Sequence, residues 1–102
     1  MIHYVVMLYR RRELTQAQFE SAWLGDHLFL ARQLPGIIAA EFLPRYRSGA
    51  DDEGPHGIGR LIFGSQDALE LALSTGTARA LREHTATFAD STATIRMVAR
   101  DA

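Results

Sequence analysis

The spacing of apolar and polar positions changes several times along the chain, and each change predicts a new secondary-structure element. Positions 2–9 are almost continuously β-branched, aromatic or otherwise apolar, which predicts a first strand. Positions 16–33 carry apolar residues three and four apart, which is typical of an amphipathic helix. Thr15 is a suitable N-cap for this helix, and Pro35-Gly36 ends it.

The rest of the chain continues the alternation of strand and helix patterns. In order, it predicts a strand at 37–46, a polar loop at 47–57, a strand at 59–63, a helical region from Ser65 to about Phe88 with a break at 74–77, and a last strand at 92–100. With right-handed crossovers, this βαββαβ order predicts a ferredoxin-like α+β fold, in which two helices cover one face of a four-stranded antiparallel sheet. We expect one domain over residues 1–102.

Both faces of the predicted sheet carry apolar side chains. In the first strand, Ile2, Tyr4, Val6 and Leu8 alternate with His3, Val5, Met7 and Tyr9, and both sets are largely apolar. Two helices cover one face only, so the second face holds an apolar patch, mixed with charges such as Arg96, that a monomer would seldom leave in water. We therefore expect a homodimer in which sheet packs against sheet about a two-fold axis.

Composition narrows the classes of partner and chemistry. The formal net charge is -1, and this lack of a basic excess argues against a nucleic-acid partner. Arg10-Arg11-Arg12 is the one basic cluster, and we interpret it as a solvated turn, with anion binding as the alternative. The chain has no cysteine, which excludes disulfides and thiolate chemistry. The N-terminal apolar run is too short for a membrane span or a signal peptide, so we expect a cytoplasmic protein.

Trp23 and His27 are the most informative pair of residues. They lie four residues apart, about one helical turn, on the same stripe as Phe19, Leu30 and Leu34. An imidazole titrates near neutral pH, so His27 is a candidate catalytic acid or base in a small apolar pocket. The alternative is a structural histidine whose hydrogen bonds are satisfied in the core.

His84 is the second candidate, because it shares an inward helical face with Leu81 and Phe88. If the two helices lie side by side, His84 and His27 could face one pocket and act as an acid/base pair, or one of them could position a substrate oxygen. The alternative places His84 at the margin of the core. Tyr4, Tyr9 or Tyr46 could supply a phenol to a substrate carbonyl, and the alternation does not decide which.

We interpret the other polar residues as structural. We expect His3 at the dimer interface and His56 exposed in a loop that could act as a lid. Glu41 and Arg60 are interpreted as a buried or interfacial ion pair on neighbouring strands.

Known ligand-binding patterns are absent from the sequence. No two histidines have HxH or HxxxH spacing, so we predict no metal site. Asp51-Asp52-Glu53 lacks the alternating ligand pattern of a calcium loop and is interpreted as solvated. Gly57-x-Gly59 lacks the third glycine of a dinucleotide fingerprint.

Several motifs in the first half of the chain carry a family resemblance. They are Leu8-Tyr9-Arg10, Leu14-Thr15, Phe19, Trp23-x-x-x-His27, Ala31 and Leu34-Pro35-Gly36, with weaker similarity at 63–68, 74–76 and 88–90. In these the chain resembles the EthD-like family, named for ethyl tert-butyl ether degradation, of the dimeric α/β-barrel superfamily. The resemblance implies a homodimer whose two sheets form a closed barrel, and a hydrophobic pocket between helices and sheet. It also implies one of two functions: that of an accessory protein in a catabolic oxidation, or that of a cofactor-free isomerase, decarboxylase or cyclase.

The residues and the resemblance together favour a cofactor-free enzyme that moves a proton on a small hydrophobic, cyclic or aromatic metabolite. His27 and His84 are the predicted catalytic residues, and the predicted substrate-binding residues are Trp23, Phe19, Phe88 and Tyr4. The alternatives are a non-catalytic binding or accessory protein of a catabolic oxidation system, and a cofactor-independent oxygenase. The three hypotheses differ in the fate of the bound molecule. The proton-transfer enzyme transforms it, the binding protein releases it unchanged, and the oxygenase oxidises it with consumption of O₂.

Overall fold

A computed structural model describes residues 1–46 and 54–102, which form one antiparallel sheet with helices on one of its faces. The strands are β1 (Ile2–Leu8), β2 (Ile37–Pro44), β3 (Gly57–Phe63) and β4 (Ile95–Arg100). The helices are α1 (Gln16–Ala22), α2 (Leu28–Ala31), α3 (Gln66–Leu73) and α4 (Gly76–Phe88). The strand order β2-β3-β1-β4 confirms the predicted ferredoxin-like fold. The break between α3 and α4 also lies where the sequence placed it.

The prediction of one continuous helix over 16–33 is wrong. A kink at Trp23–His27 separates α1 from α2, and Gly25 inside it has φ -89° and ψ -108°, outside the helical region. Glycine tolerates this distortion because it has no Cβ. Despite the distortion, Trp23 and His27 both point inward and are buried.

The predicted element boundaries need smaller corrections. β2 ends at Pro44, β3 already begins at Gly57, and β4 begins only at Ile95. Asp51-Asp52-Glu53 lies outside the described residues.

α1 begins with a capping box. The Thr15 hydroxyl accepts a hydrogen bond from the Gln18 N–H at 3.1 Å, and the Gln18 side chain accepts one from the Thr15 N–H at 2.8 Å. Each bond satisfies an amide that would otherwise lack a helical partner.

Replacing Thr15 with Ala is expected to lower the free energy of unfolding by about 1 kcal/mol, because the hydroxyl half of this reciprocal cap is lost. Urea denaturation followed by circular dichroism measures the change. Ser91→Ala is the control, because Ser91 is an exposed residue outside the helices, and its effect should stay within about 0.5 kcal/mol. Equal effects of the two substitutions would contradict the capping role.

The pairing register decides which side chains face the helices. Val6 lies opposite Arg96 and Gly59, so Arg96 is on the helix-covered face. Its predicted place on the second face is wrong. The open face instead carries Val5, Met7, Ile58, Ile95 and Met97, of which Ile95 and Met97 are 48% and 56% exposed.

The predicted ion pair between Glu41 and Arg60 is present on this open face, where the two residues lie opposite each other on β2 and β3. Both side chains are 43% exposed, so the pair is not buried in the subunit.

The core between helices and sheet consists of two adjoining clusters. One is centred on Phe63, Leu69 and Ala72. The other contains Leu8, Phe19, Trp23, Phe88 and Ala89. Of the predicted site residues, Phe19, Trp23 and Phe88 belong to the second cluster, whereas Tyr4 packs against the first.

Candidate functional site

Trp23 forms one wall of a cavity between the helices and the sheet. Its indole stacks on Phe42 with ring centroids 4.8 Å apart and planes 9° apart. A Cβ added at Gly57 would lie 2.4 Å from Cζ3 of Trp23, so only glycine leaves room for the indole at that position. Glycine in a strand often marks such a close approach. The Gly57-x-Gly59 motif therefore accommodates Trp23, and a packing role accounts for its first glycine.

The cavity has a volume of about 80 Å³ and is partly open to solvent. Its lining is mainly apolar and includes Trp23 and Phe42, with a few polar groups among them. The polar or charged lining residues are Tyr4, His27, Arg82, Thr85 and Arg96. An apolar concavity with a small number of convergent polar groups is typical of small-molecule sites.

His27, between α1 and α2, and His84, on α4, are brought together where these helices pack side by side. The Nδ1 atoms of their rings are 3.0 Å apart, a hydrogen-bond distance, although the residues are 57 positions apart in sequence. The Phe88 ring packs edge-on against both imidazoles, with centroids 5.1 and 5.3 Å away. Of the two histidines, His27 alone lines the cavity.

A hydrogen bond between two Nδ1 atoms restricts the tautomers of a neutral pair. One ring must carry its proton on Nδ1 and donate it, and the other must carry its proton on Nε2 and accept. One Nε2 of the pair is therefore a free base and the other is an N–H donor. The pair thus combines the two functions that a general acid/base site needs.

Burial keeps His27 neutral. The residue is only 8% exposed, and burial, followed by the charge interaction with His84, lowers the pKa of His27 to about 4. Removing an imidazolium from water is costly, which explains the direction of the shift. At neutral pH the side chain is therefore an uncharged base.

The lowered pKa of His27 predicts a loss of stability in weak acid. The unfolded chain binds a proton at this residue near pH 6.5, whereas the folded chain binds it only near pH 4. The free energy of unfolding is thus expected to fall by up to about 3 kcal/mol as pH drops through this window. Urea denaturation at several pH values measures the slope. His27→Gln should have a flatter slope, and an unchanged slope in that variant would contradict the prediction.

The remaining aromatic candidates divide into two groups. Tyr4 lines the cavity, together with Trp23. Phe19 and Phe88 are fully buried behind its wall and do not line it. Of the other two tyrosines, Tyr9 packs against His56, and Tyr46 is 98% exposed.

His56 is not exposed as predicted. It is half-buried, and its Nδ1 accepts a hydrogen bond from the Arg10 N–H at 3.0 Å, which ties the segment before β3 to the end of β1. His3 lies on the open face of the sheet, where its Nε2 is 2.6 Å from Oδ1 of Asp101.

The prediction of a solvated turn for the arginine run is confirmed only in part: Arg12 lies in a turn and is exposed, whereas Arg10 forms an isolated β-bridge with Ala89 and is half-buried. Arg10 and Arg11 each donate a hydrogen bond of 2.8 Å to a backbone carbonyl, those of Leu14 and Ala86 respectively. Within residues 1–46 and 54–102, no group of three or more histidine, aspartate or glutamate side chains is placed to hold a metal ion.

The cavity residues that the sequence analysis did not find include Phe42, Arg82, Thr85 and Arg96. Phe42 faces the helices from the middle of β2, and its position in the strand could have indicated this. Arg82 and Thr85 are one helical turn apart on α4, next to Leu81. Thr85 already donates its hydroxyl proton to the Leu81 carbonyl at 2.8 Å, so toward the cavity it acts only as an acceptor.

Comparison with solved structures shows that the chain shares the ferredoxin-like fold. An ethyl tert-butyl ether degradation (EthD) family protein from Bacillus halodurans is 20% identical with a TM-score of 0.81, over 100% of both chains. A dimeric ferredoxin-like protein of unknown function from a Jannaschia species is 16% identical, with a TM-score of 0.74 over 98% of both chains. No family model and no curated protein matches the chain.

A third solved structure is SnoaB, a cofactor-independent oxygenase from Streptomyces nogalater. It is 14% identical with a TM-score of 0.70, and the match covers 99% of this chain and 94% of SnoaB. The full-length match to the EthD family protein supports the resemblance drawn from the sequence. At these identities the comparisons establish a shared fold. No helix among the described residues is long and apolar enough to cross a membrane.

Proposed function

We propose that this protein is a cofactor-free enzyme that transfers a proton on a small hydrophobic molecule, with His27 as the acid/base. The observation that carries the proposal is the Nδ1–Nδ1 contact between His27 and His84 at the edge of an apolar cavity. It supplies a neutral base next to the bound molecule and a partner that can take up the charge. The reaction class is isomerisation, cyclisation or decarboxylation.

The pair suggests a definite path for the proton. In the productive tautomer His27 donates Nδ1–H to His84, which leaves the His27 Nε2 lone pair available for a substrate C–H proton. When Nε2 takes that proton, the proton on His27 Nδ1 can move to His84 Nδ1. The positive charge then rests on His84, which is half-buried rather than buried, so its desolvation costs less. Return of the proton to a different substrate atom completes an isomerisation.

The cavity limits the size of the substrate and supplies one further group. At about 80 Å³ it has roughly half the volume of an engineered cavity that holds benzene, ~150 Å³. Because the cavity is partly open, it suits a substrate with a single ring, and the rest of that substrate lies at the mouth. Tyr4 provides a phenol in the lining, which is suited to donate a hydrogen bond to an oxygen that gains negative charge.

Deuterium exchange tests the proposal without knowledge of the natural substrate. Cyclohexanone, a one-ring ketone with exchangeable protons next to its carbonyl, is incubated with the protein in D₂O near pH 7. Deuterium incorporation is then followed by mass spectrometry. We expect exchange above the buffer rate that saturates with ketone concentration. Saturable binding, detected by Trp23 fluorescence, without any acceleration of exchange would favour the non-catalytic binding protein.

A cofactor-independent oxygenase is the second candidate, because SnoaB shares the fold. The two candidates differ in their use of oxygen. Oxygen consumption that depends on the protein and on an easily oxidised phenol, such as 1,4-dihydroxynaphthalene, above its autoxidation rate would favour the oxygenase. Proton transfer requires no oxygen.

We also propose a homodimer that buries the open sheet face; the Jannaschia protein, which shares the fold, is itself dimeric. The half-exposed Ile95 and Met97 beside Val5 and Met7 form an apolar surface that favours such packing. Cytoplasmic localisation remains a prediction.

Met97→Asp should convert the dimer to a monomer in sedimentation velocity, because it places a charge in the middle of the apolar face. Leu71→Asp is the matched control, since Leu71 is 65% exposed on α3. A dimer that persists in Met97→Asp, or dissociates equally in Leu71→Asp, would contradict this interface.

A further inference from the structure

Two arginines lie at the mouth of the cavity. Arg96 projects from β4 on the helix-covered face, and Arg82 projects from α4. Both are exposed, whereas Trp23 and His27 in the same lining are buried. The arrangement is an apolar interior that opens between two guanidinium groups.

Neither guanidinium is neutralised within the part of the chain that the structure describes. No carboxylate there forms an ion pair with Arg82 or Arg96, and the one hydrogen bond of Arg82 is a long one, 3.4 Å, to the Leu73 carbonyl. By contrast, Arg11 and Arg60 each have a carboxylate partner. Two uncompensated positive charges at the entrance raise the local concentration of anions.

Guanidinium groups are especially suited to one class of anion. Their planar N–H groups match the two oxygens of a carboxylate and can donate to both at once. An apolar body in the cavity and a carboxylate at the mouth would satisfy both parts of the surface. A wholly neutral hydrophobic molecule would leave the two arginines without a function.

We propose that the cavity binds small organic acids, with the apolar part of the molecule against Trp23 and its carboxylate held by Arg82 and Arg96. This names the substrate class of the proposed enzyme and rests on that function for its biological meaning. The binding itself requires no turnover. The carboxylate at the mouth fixes the orientation of the molecule and so determines which of its atoms face His27.

Fluorescence of Trp23, the single tryptophan of the chain, provides the test. The probes are 3-phenylpropanoate and its neutral isostere 3-phenylpropanamide, whose phenyl rings do not absorb at the red edge of the indole spectrum. We expect the acid to bind roughly fivefold to tenfold more tightly than the amide, as partly exposed charge-assisted hydrogen bonds allow. Salt should weaken binding of the acid and leave binding of the amide unchanged.

Charge-removing variants assign the effect to the two arginines. Arg96→Met and Arg82→Met keep most of the side-chain volume, and each should reduce the preference for the acid by about threefold or more. Arg100→Met on β4 and Arg79→Met on α4 are the matched controls, because neither residue lines the cavity, and both should keep the preference. Circular dichroism verifies that all four variants are folded.

The outcomes separate this inference from the proposed function. Equal binding of acid and amide, or a preference that survives in both cavity variants, would overturn the inference while leaving proton transfer by His27 in place. Absence of binding by either probe would also overturn it. A His27→Gln variant that still prefers the acid, yet retains full exchange activity, would support the anion site and remove His27 from the mechanism.

Discussion

Replacing His27 with Gln is expected to slow protein-catalysed deuterium exchange into cyclohexanone by about 100-fold or more, because the substitution removes the only imidazole that lines the cavity among the described residues. Glutamine has a similar size and its amide can still hydrogen bond to Nδ1 of His84. The fold should therefore persist, as judged by circular dichroism. The initial exchange rate at saturating ketone is the measured quantity.

Two further variants define the roles within the pair. His84→Gln should cause a smaller loss of exchange rate, since His27 keeps its Nε2 but has no partner that shares the proton. His3→Gln is the control, because His3 lies on the other face of the sheet, and its rate should match that of the unmodified protein. Full activity of His27→Gln, or equal losses in His27→Gln and His3→Gln, would contradict the assignment.

Replacing Trp23 with Ala is expected to lower the free energy of unfolding by about 3 to 5 kcal/mol, the usual range for a large aromatic residue in a core. Trp23 is 1% exposed and contacts Phe19 and Phe42. Its loss removes buried apolar surface, and the neighbouring strand cannot collapse to fill the space. Chemical denaturation followed by circular dichroism gives the change.

A double-mutant cycle with Gly57 tests whether this wall is packed as described. Gly57→Ala alone should cost about 2 kcal/mol, because the added Cβ would meet Cζ3 and Cη2 of Trp23 at 2.4 and 2.6 Å. In the Trp23→Ala background those atoms are absent, so the same substitution should cost far less. An equal cost in both backgrounds would contradict the close approach of indole and strand.

The fold was predictable because its elements carry clear periodicities. The strand pattern at 2–9 and the helical pattern after Thr15 are strong local signals, and the βαββαβ order then leaves few topologies. The distortion at Gly25 was not predictable, because a single glycine within a helical pattern is usually tolerated. Its φ and ψ angles depend on the tertiary packing of the residues on either side.

The site was predictable only in part, because its geometry also depends on tertiary packing. Alternation along β1 placed Tyr4 and Val6 on one face, which the structure bears out. In β4 the set Ile95, Met97 and Ala99 is apolar and the other set carries Arg96, so alternation alone favours the apolar set as the helix-facing one. Only the pairing with β1 shows that Arg96 faces the helices. The contact between His27 and His84 depends on how two distant helices pack, and no local pattern encodes that distance.

The protonation of the histidine pair tests the central claim most directly. Two-bond ¹H–¹⁵N spectra of ¹⁵N-histidine-labelled protein report the tautomer and charge of each ring, and His27→Gln and His84→Gln assign the signals. We predict that His27 becomes protonated with a pKa of about 4 and is neutral at higher pH. We also predict that one ring of the pair carries its proton on Nδ1 and the other on Nε2. Titration of His27 near pH 6.5, with both rings protonated on Nε2, would contradict a buried imidazole that shares its proton with His84.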